Sequence, residues 1–400
     1  MKVLLLAPQP FYQLRGTPIA VKRLAESFSR RGWLVDILAF HEGSAVEIPN
    51  VRVFRIPRIP GTRGVRPGFS LKKLTCDLAL FASAALRLRR EPYDLVHAGE
   101  ESAFIALLFK WAAGYPYIYD MDSCLSEQMS GSHPSLRPLL PVVRCLEGIV
   151  IRNASAVLAV CDALAEYARA QGARHIMVLP DAPLCAPLSE DARPGKGRGT
   201  AAGRATFMYI GNLEQYQGID LLLDSFSRFA RSDGSSSLEI IGGAPAHIAH
   251  YTEVCRAKKI ADRVRFRGEQ PPELLGEIMA EAEVLVSPRC KGVNTPMKIY
   301  SYLQAGKPVL ATDIPSHSQV LSAEFAFLAP PEPDAFARAM ARLASDPALR
   351  AELGERALRV ARTRYAPESF DRTAFAFCGF VERLLVKDGH PVAVLDASPH

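Results

Sequence analysis

The residues best placed to hold an anion are Asn294, Thr295, Pro296, Met297 and Lys298, inside the stretch PRCKGVNTPMKIYSYLQAGKPVLATD that runs from Pro288 to Asp313. The short β-branched run Val284, Leu285, Val286 ahead of it reads as a buried parallel strand. Asn294 and Thr295 are capping types, and Pro296 suits a first helical position. Met297, Ile299, Tyr300, Leu303 and Gln304 then recur with helical period until Gly306. The pattern predicts a helix opening at Pro296 and a new strand at Val309–Ala311. Backbone N–H groups of the 295–298 turn would lie unpaired at a helix start on the carboxyl edge of a sheet, where anionic ligands bind. Lys298 adds a formal charge in the same turn. Its bland alternative, a solvated lysine, is disfavoured by the helix dipole. Arg289, just upstream, serves either as a phosphate partner or as an ordinary loop arginine.

Other chemistry-bearing residues fall at strand exits. The first strand ends in PQPFYQLRGTPIAV, whose single glycine, Gly16, either permits a tight connection or lets a substrate approach. No G-x-G-x-x-G follows it, which counts against a dinucleotide enzyme. His97, followed by Gly99, Glu100 and Glu101, ends one strand, and Asp120 and Asp122 end the next. Carboxylates there could orient sugar hydroxyls and a neutral imidazole could donate a hydrogen bond, while capping is the competing role for Asp122. Their spacing matches no metal-ligand pattern. In the second half, FMYIGNLEQYQGIDLLLDSF gives a strand, then Asn212 and Gln217 in a loop framed by Gly211 and Gly218, then an amphipathic helix. No Ser-His-Asp or Cys-His set with a local signature indicates nucleophilic hydrolysis.

These turns need sheets to carry them. Seven strand candidates in the first half (Val3–Ala7, Val35–Phe40, Val51–Ile56, Leu95–His97, Tyr117–Tyr119, Ala156–Val160, Ile176–Leu179) alternate with helical stretches, and six follow in the second (Phe207–Ile210, Leu238–Ile241, Val264–Phe266, Val284–Val286, Val309–Ala311, Phe325–Leu328). The 400 residues exceed one core's capacity. The expected division is a domain over 1–188, a Gly/Ala/Arg-rich linker over 189–205, a second domain over 206–364, and a helix over 365–388 that crosses back to the first domain.

Composition is that of a globular protein, 48% hydrophobic and 22% charged. The eight scattered cysteines form no Cys-x-x-Cys pair, which points to a reducing compartment with thiols as small core residues. No apolar run reaches the roughly 18 residues of a membrane span. The start MKVLLLAP is too short for a signal peptide. Residues 51–90 hold ten Lys and Arg against one acid, Asp77. Without interleaved aromatics this surface does not read as a nucleic-acid site. With the apolar helix Leu71–Leu88 it reads either as a contact for anionic membrane or as a solvated basic face.

The segments RGTPIAVKRLAESFSRRGWLVDIL, YDLVHA, YIYDMD, ASAVLAVCDAL, FMYIGNLEQYQGIDLLLDSF and NTPMKIYSYLQAGKPVLATD, in this order, resemble the family 4 (group 1) retaining glycosyltransferases, over nearly the whole chain. The resemblance implies the α/β GT-B fold, two facing Rossmann-like doubly wound domains with a cleft between them. It also implies a nucleotide-sugar donor held by the C-terminal domain, a glycan or lipid-linked acceptor on the N-terminal one, retention of configuration, no metal and no cofactor. Such enzymes serve polysaccharide biosynthesis, and the expected location is cytoplasmic, peripheral at the inner membrane face. Common members hold the donor diphosphate with an arginine and a lysine where this chain has Asn212 and Gln217. They carry glutamates where it has Val293 and Ser301, so Ser301 keeps a weaker donor hydrogen bond and Val293 none. Arg289 and Lys298 are the compensating charges. The resemblance thus assigns Gly211, Asn212, Gln217, Arg289, the 294–298 turn and Ser301 to the donor, and Gly16, His97 and Asp122 to the sugar and acceptor.

Two other readings compete with transfer. A sugar-nucleotide epimerase on the same scaffold would turn over donor alone; a phosphorylase lacks any pyridoxal-phosphate lysine context. A non-catalytic partner or glycan-binding protein would explain the missing Glu, Arg and Lys.

Overall fold

The computed structural model describes residues 1–13, 16–65, 70–126, 129, 138–184 and 205–389. The chain divides into two compact units, Met1–Asp181 together with the chain from Phe370 on, and Ala182–Ser369. Most of the expected linker, 189–204, lies outside the described residues, and the division falls at 181/182, seven residues before the expected end at 188.

The first unit holds β1 (Lys2–Pro10), α1 (Gly16–Arg30), β2 (Leu34–Phe40), β3 (Val51–Arg55), α2 (Leu71–Arg90), β4 (Leu95–Gly99), α3 (Ser102–Ala113), β5 (Tyr117–Met121), α4 (Leu140–Asn153), β6 (Ala156–Ala159), α5 (Asp162–Ala170) and β7 (Ile176–Val178). Its sheet runs β3-β2-β1-β4-β5-β6-β7, parallel throughout. The second holds β8 (Thr206–Ile210), α6 (Ile219–Phe229), β9 (Ser237–Ile241), α7 (Pro245–Ala257), β10 (Val264–Gly268), α8 (Leu275–Ala280), β11 (Val284–Ser287), α9 (Lys298–Gln304), β12 (Val309–Thr312), α10 (Pro315–Ser318), β13 (Phe327–Ala329), α11 (Pro333–Ser345) and α12 (Pro347–Arg364). Its parallel sheet runs β10-β9-β8-β11-β12-β13. Every expected strand is present. The order reverses beside β1 and beside β8, and at such switch points the carboxyl ends of a doubly wound sheet leave a crevice.

Alternation along the strands builds the cores. On β8 Phe207 and Tyr209 join one apolar layer and Met208 the other; Val284 and Val286 oppose Leu285 on β11, and Leu310 opposes Val309 and Ala311 on β12. Both faces are covered, which is why these strands read as continuous apolar runs.

The last helix, α13 (Pro367–Lys387), packs Phe377, Cys378, Val381 and Leu385 against β1 and β2 residues and the inner face of α1. Burying Phe377 alone contributes about 1.5–3 kcal/mol. Its position is fixed by Asp371, which accepts from Ser27 Oγ (2.7 Å) and pairs with Arg23 and Arg30, and by Glu382, which accepts from Trp33 Nε1 at 2.8 Å. Of the cysteines, Cys76, Cys124, Cys161, Cys255 and Cys378 are buried, but Cys145 is exposed and Cys290 half-buried, so the expectation of core thiols holds only in part.

Candidate active site

Three glycines shape the strand exits of the second unit. Gly211 (φ 149°) ends β8, and its N–H donates to Ile241 O at 2.9 Å. Gly242 (φ 102°) packs so closely that an added Cβ would lie 2.4 Å from Gly211 O. Gly218 (φ 75°) opens α6, and a Cβ there would meet Pro288 O at 1.9 Å. These positions demand glycine on conformation and on space together. The β8–α6 loop and the loop after β11 are thereby pressed against one another.

Lys298 occupies the room they make. It is 8% exposed, its Nζ donates to Gln217 Oε1 at 3.1 Å and lies 3.9 Å from the centroid of the Tyr209 ring. A side chain on Gly211 would collide with it, at 2.7 Å from Nζ. Gly211 was expected to open the backbone to a ligand; the space above it is instead filled by the ammonium. Burial, with the Arg289 charge adding to it, pushes the Lys298 pKa well below the ordinary lysine value. Lys298 is therefore not the solvated lysine of the bland alternative. It is a desolvated cation whose hydrogen-bond acceptor among the described residues, the Gln217 side-chain carbonyl, is neutral.

Around it several expectations are corrected. The helix opens at Lys298, two residues after Pro296, with Met297 as N-cap and no side-chain cap; the turn before it is closed by Ile299 N to Pro296 O and Tyr300 N to Met297 O. Asn294 caps nothing: its carbonyl and Oδ1 accept from Arg289 Nη1 and Nη2 at 3.0 and 2.9 Å. Arg289 Nε donates to Lys291 O at 2.7 Å, so this guanidinium spends its fork on its own loop. Asn212 is exposed and ties its loop through Glu214 N and Tyr209 OH. Ser301 is buried and accepts from Leu184 N at 2.8 Å. Thr295, 2% exposed, keeps an Oγ1 with no partner among the described residues.

One group escaped the sequence reading. His317, on α10, is buried; its Nε2 lies 2.9 Å from Ser287 Oγ, and its Nδ1 lies 2.9 Å from Thr312 O. Thr312 Oγ1 donates in turn to Arg289 O at 2.5 Å. Burial lowers the His317 pKa to about 4, so the ring is neutral and pins the loop that carries Arg289. A histidine just past a strand is the available signal, but one of its two partners, Ser287, comes from the neighbouring strand β11.

In the first unit, His97 is 1% exposed, with Nε2 2.9 Å from Asp120 Oδ2 and its ring edge-on to Phe28 at 5.5 Å. It was expected to line a pocket; enclosed as it is, it can act only through Asp120. Asp122 stays partly exposed, and burial together with Asp120, Asp181 and Glu100 raises its pKa well above the carboxylate range. Asp181 is likewise raised, to about 7, by burial and Asp120. Neither this aspartate nor the buried Lys73, paired with Glu101 Oε1 at 2.5 Å, was singled out in the sequence. Gly16 begins α1 in the open: a Cβ there would meet nothing within 4 Å.

The fold is shared with solved glycosyltransferase-type structures. Sucrose-phosphate synthase from Thermosynechococcus elongatus superposes with a TM-score of 0.79 at 19% identity, covering 97% of this chain and 99% of that one. The Anabaena protein HepE in complex with UDP-glucose gives 0.72 at 18%, covering 95% and 100%. Among curated proteins, the D-inositol 3-phosphate glycosyltransferase of Corynebacterium diphtheriae is 24% identical over 301 residues, 68% of each chain. Residues 15–182 match the family described as glycosyl transferase 4-like domain and 204–346 that described as glycosyl transferases group 1. The two parallel-sheet units are those of the GT-B fold. The chain belongs to the group 1, family 4-type glycosyltransferases and is a glycosyltransferase of that class.

Proposed function

We propose that the protein transfers a sugar from a nucleotide-sugar donor to a glycan or lipid-linked acceptor with retention of configuration, without a metal ion or other cofactor. The observation that carries this reading is the buried ammonium of Lys298 beside Gln217. A cation held out of water with a depressed pKa is poised for an anion, and a departing nucleoside diphosphate would restore its full charge. In this reading Lys298 supplies from α9 the charge that relatives supply from the position of Gln217. The orphaned Thr295 hydroxyl and the turn amides complete the phosphate contacts, Ser301 and Asn212 flank them, and Arg289 acts by holding the loop.

On the first unit, a protonated Asp122 donates a hydrogen bond to a sugar or acceptor hydroxyl, and His97 orients Asp120 beside it. Since the backbone at Gly16 does not require glycine, its openness serves ligand approach. Positioning and electrostatics then stabilise a short-lived oxocarbenium ion while the acceptor attacks from the face the diphosphate leaves. UDP leads the nucleotide choices because HepE, of the same fold, was solved with UDP-glucose.

A lipid-linked acceptor and a peripheral position at the inner, cytoplasmic membrane face are favoured by exposed Leu71 (79%), Leu78 and Trp111 (61%) on α2 and α3, alongside Lys72, Arg89 and Arg90. No helix among the described residues is long and apolar enough to cross a membrane.

Proton NMR of slow UDP-glucose hydrolysis tests the reading. The α-anomer of glucose should appear first, at a rate unchanged by EDTA. The β-anomer first, or a rate abolished by EDTA, would refute it, and conversion to another UDP-sugar would establish an epimerase.

A further inference from the structure

The basic stretch 51–90 is not uniformly employed. Arg52 pairs with Asp36 and Glu91, Arg55 donates to the carbonyls of Phe11, Gly43 and Ser44, Lys73 pairs with Glu101, and Arg87 reaches Glu91. Arg58, Arg63 and Lys72 make no ion pair among the described residues. All three line one cavity of about 600 Å³, together with His41, Glu42 and Gly43 at the exit of β2.

The walls of that cavity are built. Arg55 fixes the Gly43–Ser44 carbonyls, and Gly43 (φ 121°) lies so close to Phe11 that a Cβ would be 2.2 Å from its carbonyl oxygen. The facing turn is closed by Thr62, whose Oγ1 and N–H both donate to Ile59 O. The one acid, Glu42, already accepts from Gly64 N through both oxygens, at 3.2 and 2.9 Å. His41 Nδ1 is buried without a partner among the described residues. Three cations with no ion pair among the described residues, and a spare imidazole nitrogen, thus line a hollow with a single described carboxylate, Glu42, which is held by Gly64 N and offsets one of the three charges.

We propose that this cavity binds a phosphoryl group, and that the acceptor is accordingly a phosphate- or diphosphate-bearing molecule; the second half of the statement rests on the transferase reading above. Guanidinium forks at Arg58 and Arg63 suit the oxygens of a phosphate, and Lys72 contributes a point charge from the first turn of α2, where the helix dipole also favours an anion. The phosphoryl group can belong to a soluble phosphoester or to a lipid headgroup, the latter consistent with Leu71 standing exposed next to Lys72.

Calorimetric titration of the full chain with sodium pyrophosphate, and sedimentation with phosphatidic acid vesicles against phosphatidylcholine vesicles, test this. The variant Arg58→Gln/Arg63→Gln/Lys72→Gln should weaken one or both by about tenfold or more, as expected when charge-assisted contacts are lost. Loss on pyrophosphate assigns a soluble phosphoester; loss confined to phosphatidic acid vesicles assigns a lipid headgroup. Lys298→Gln controls for pyrophosphate entering the donor site. The proposal is overturned if the triple variant binds both probes like the wild type, or if Lys298→Gln alone abolishes the pyrophosphate signal while the triple variant sediments with phosphatidic acid vesicles like the wild type. UDP binding by the triple variant should stay within twofold of wild type; its failure in both proteins would count against the donor reading and leave the cavity result standing.

Discussion

Lys298 carries a charge into a place that water does not reach, and the consequences for stability and for binding run in opposite directions. A lysine whose folded pKa lies below its unfolded value binds fewer protons in the native state, so its burial costs stability throughout the pH range below the unfolded value. Lys298→Met should therefore leave the thermal midpoint at pH 7 level or higher while weakening nucleotide binding. Loss of a charge-assisted contact worth about 1.5–3 kcal/mol corresponds to roughly 10- to 100-fold in affinity. Calorimetry on the same preparation reads both, and a lower midpoint with intact binding would reduce Lys298 to a structural residue. Thr295→Val probes the orphaned hydroxyl: affinity should fall with no loss of midpoint, since no partner among the described residues is given up.

At the scale of elements, glycine separates scaffold from site. Gly218→Ala forces a Cβ against Pro288 O at a positive φ, and should drop the midpoint of the second unit by several degrees. Gly16→Ala meets no atom and should leave the midpoint unchanged while lowering turnover; unchanged turnover would remove Gly16 from the site. The strands were legible because their apolar runs are two-sided, and with them came the two sheets and the positions of Gly211, Gly218 and Lys298 at strand exits. What the sequence concealed depended on pairing across elements. Asn294 has a capping residue's chemistry, yet Arg289 claims its oxygens, so the helix starts at Lys298 instead. The sequence puts His97 at the end of a strand, where a ligand residue would sit, but β4 runs on to Gly99 and Phe28 and Asp120 enclose the ring. His317 and Asp181 acquire meaning only through Ser287, Thr312 and Asp120.

For the whole molecule, the buried titratable groups give the two units opposite responses to acid. His317, held near pKa 4 against an unfolded value of about 6.5, binds fewer protons folded than unfolded between those values. The second unit should lose on the order of 3 kcal/mol as pH falls through that window. Asp77 and Asp181 are raised by burial to about 7, so their cost is present above that pH and is relieved as pH falls towards the unfolded value of about 3.9. Hydrogen exchange at pH 5 and pH 8, corrected for intrinsic rates, should show protection in the second unit falling on acidification relative to the first, and His317→Gln should flatten that difference.

In the proposed reaction the second unit holds the nucleotide-sugar donor around Lys298. Thermal-shift titration of the purified chain against UDP, GDP, ADP, CMP and their sugar conjugates, with Lys298→Gln in parallel, tests it most directly. The midpoint should climb with concentration for one nucleotide family, UDP first among them, and the response should weaken at least tenfold in the variant. A flat response across the panel in a folded protein, or an equal response from the variant, would contradict it.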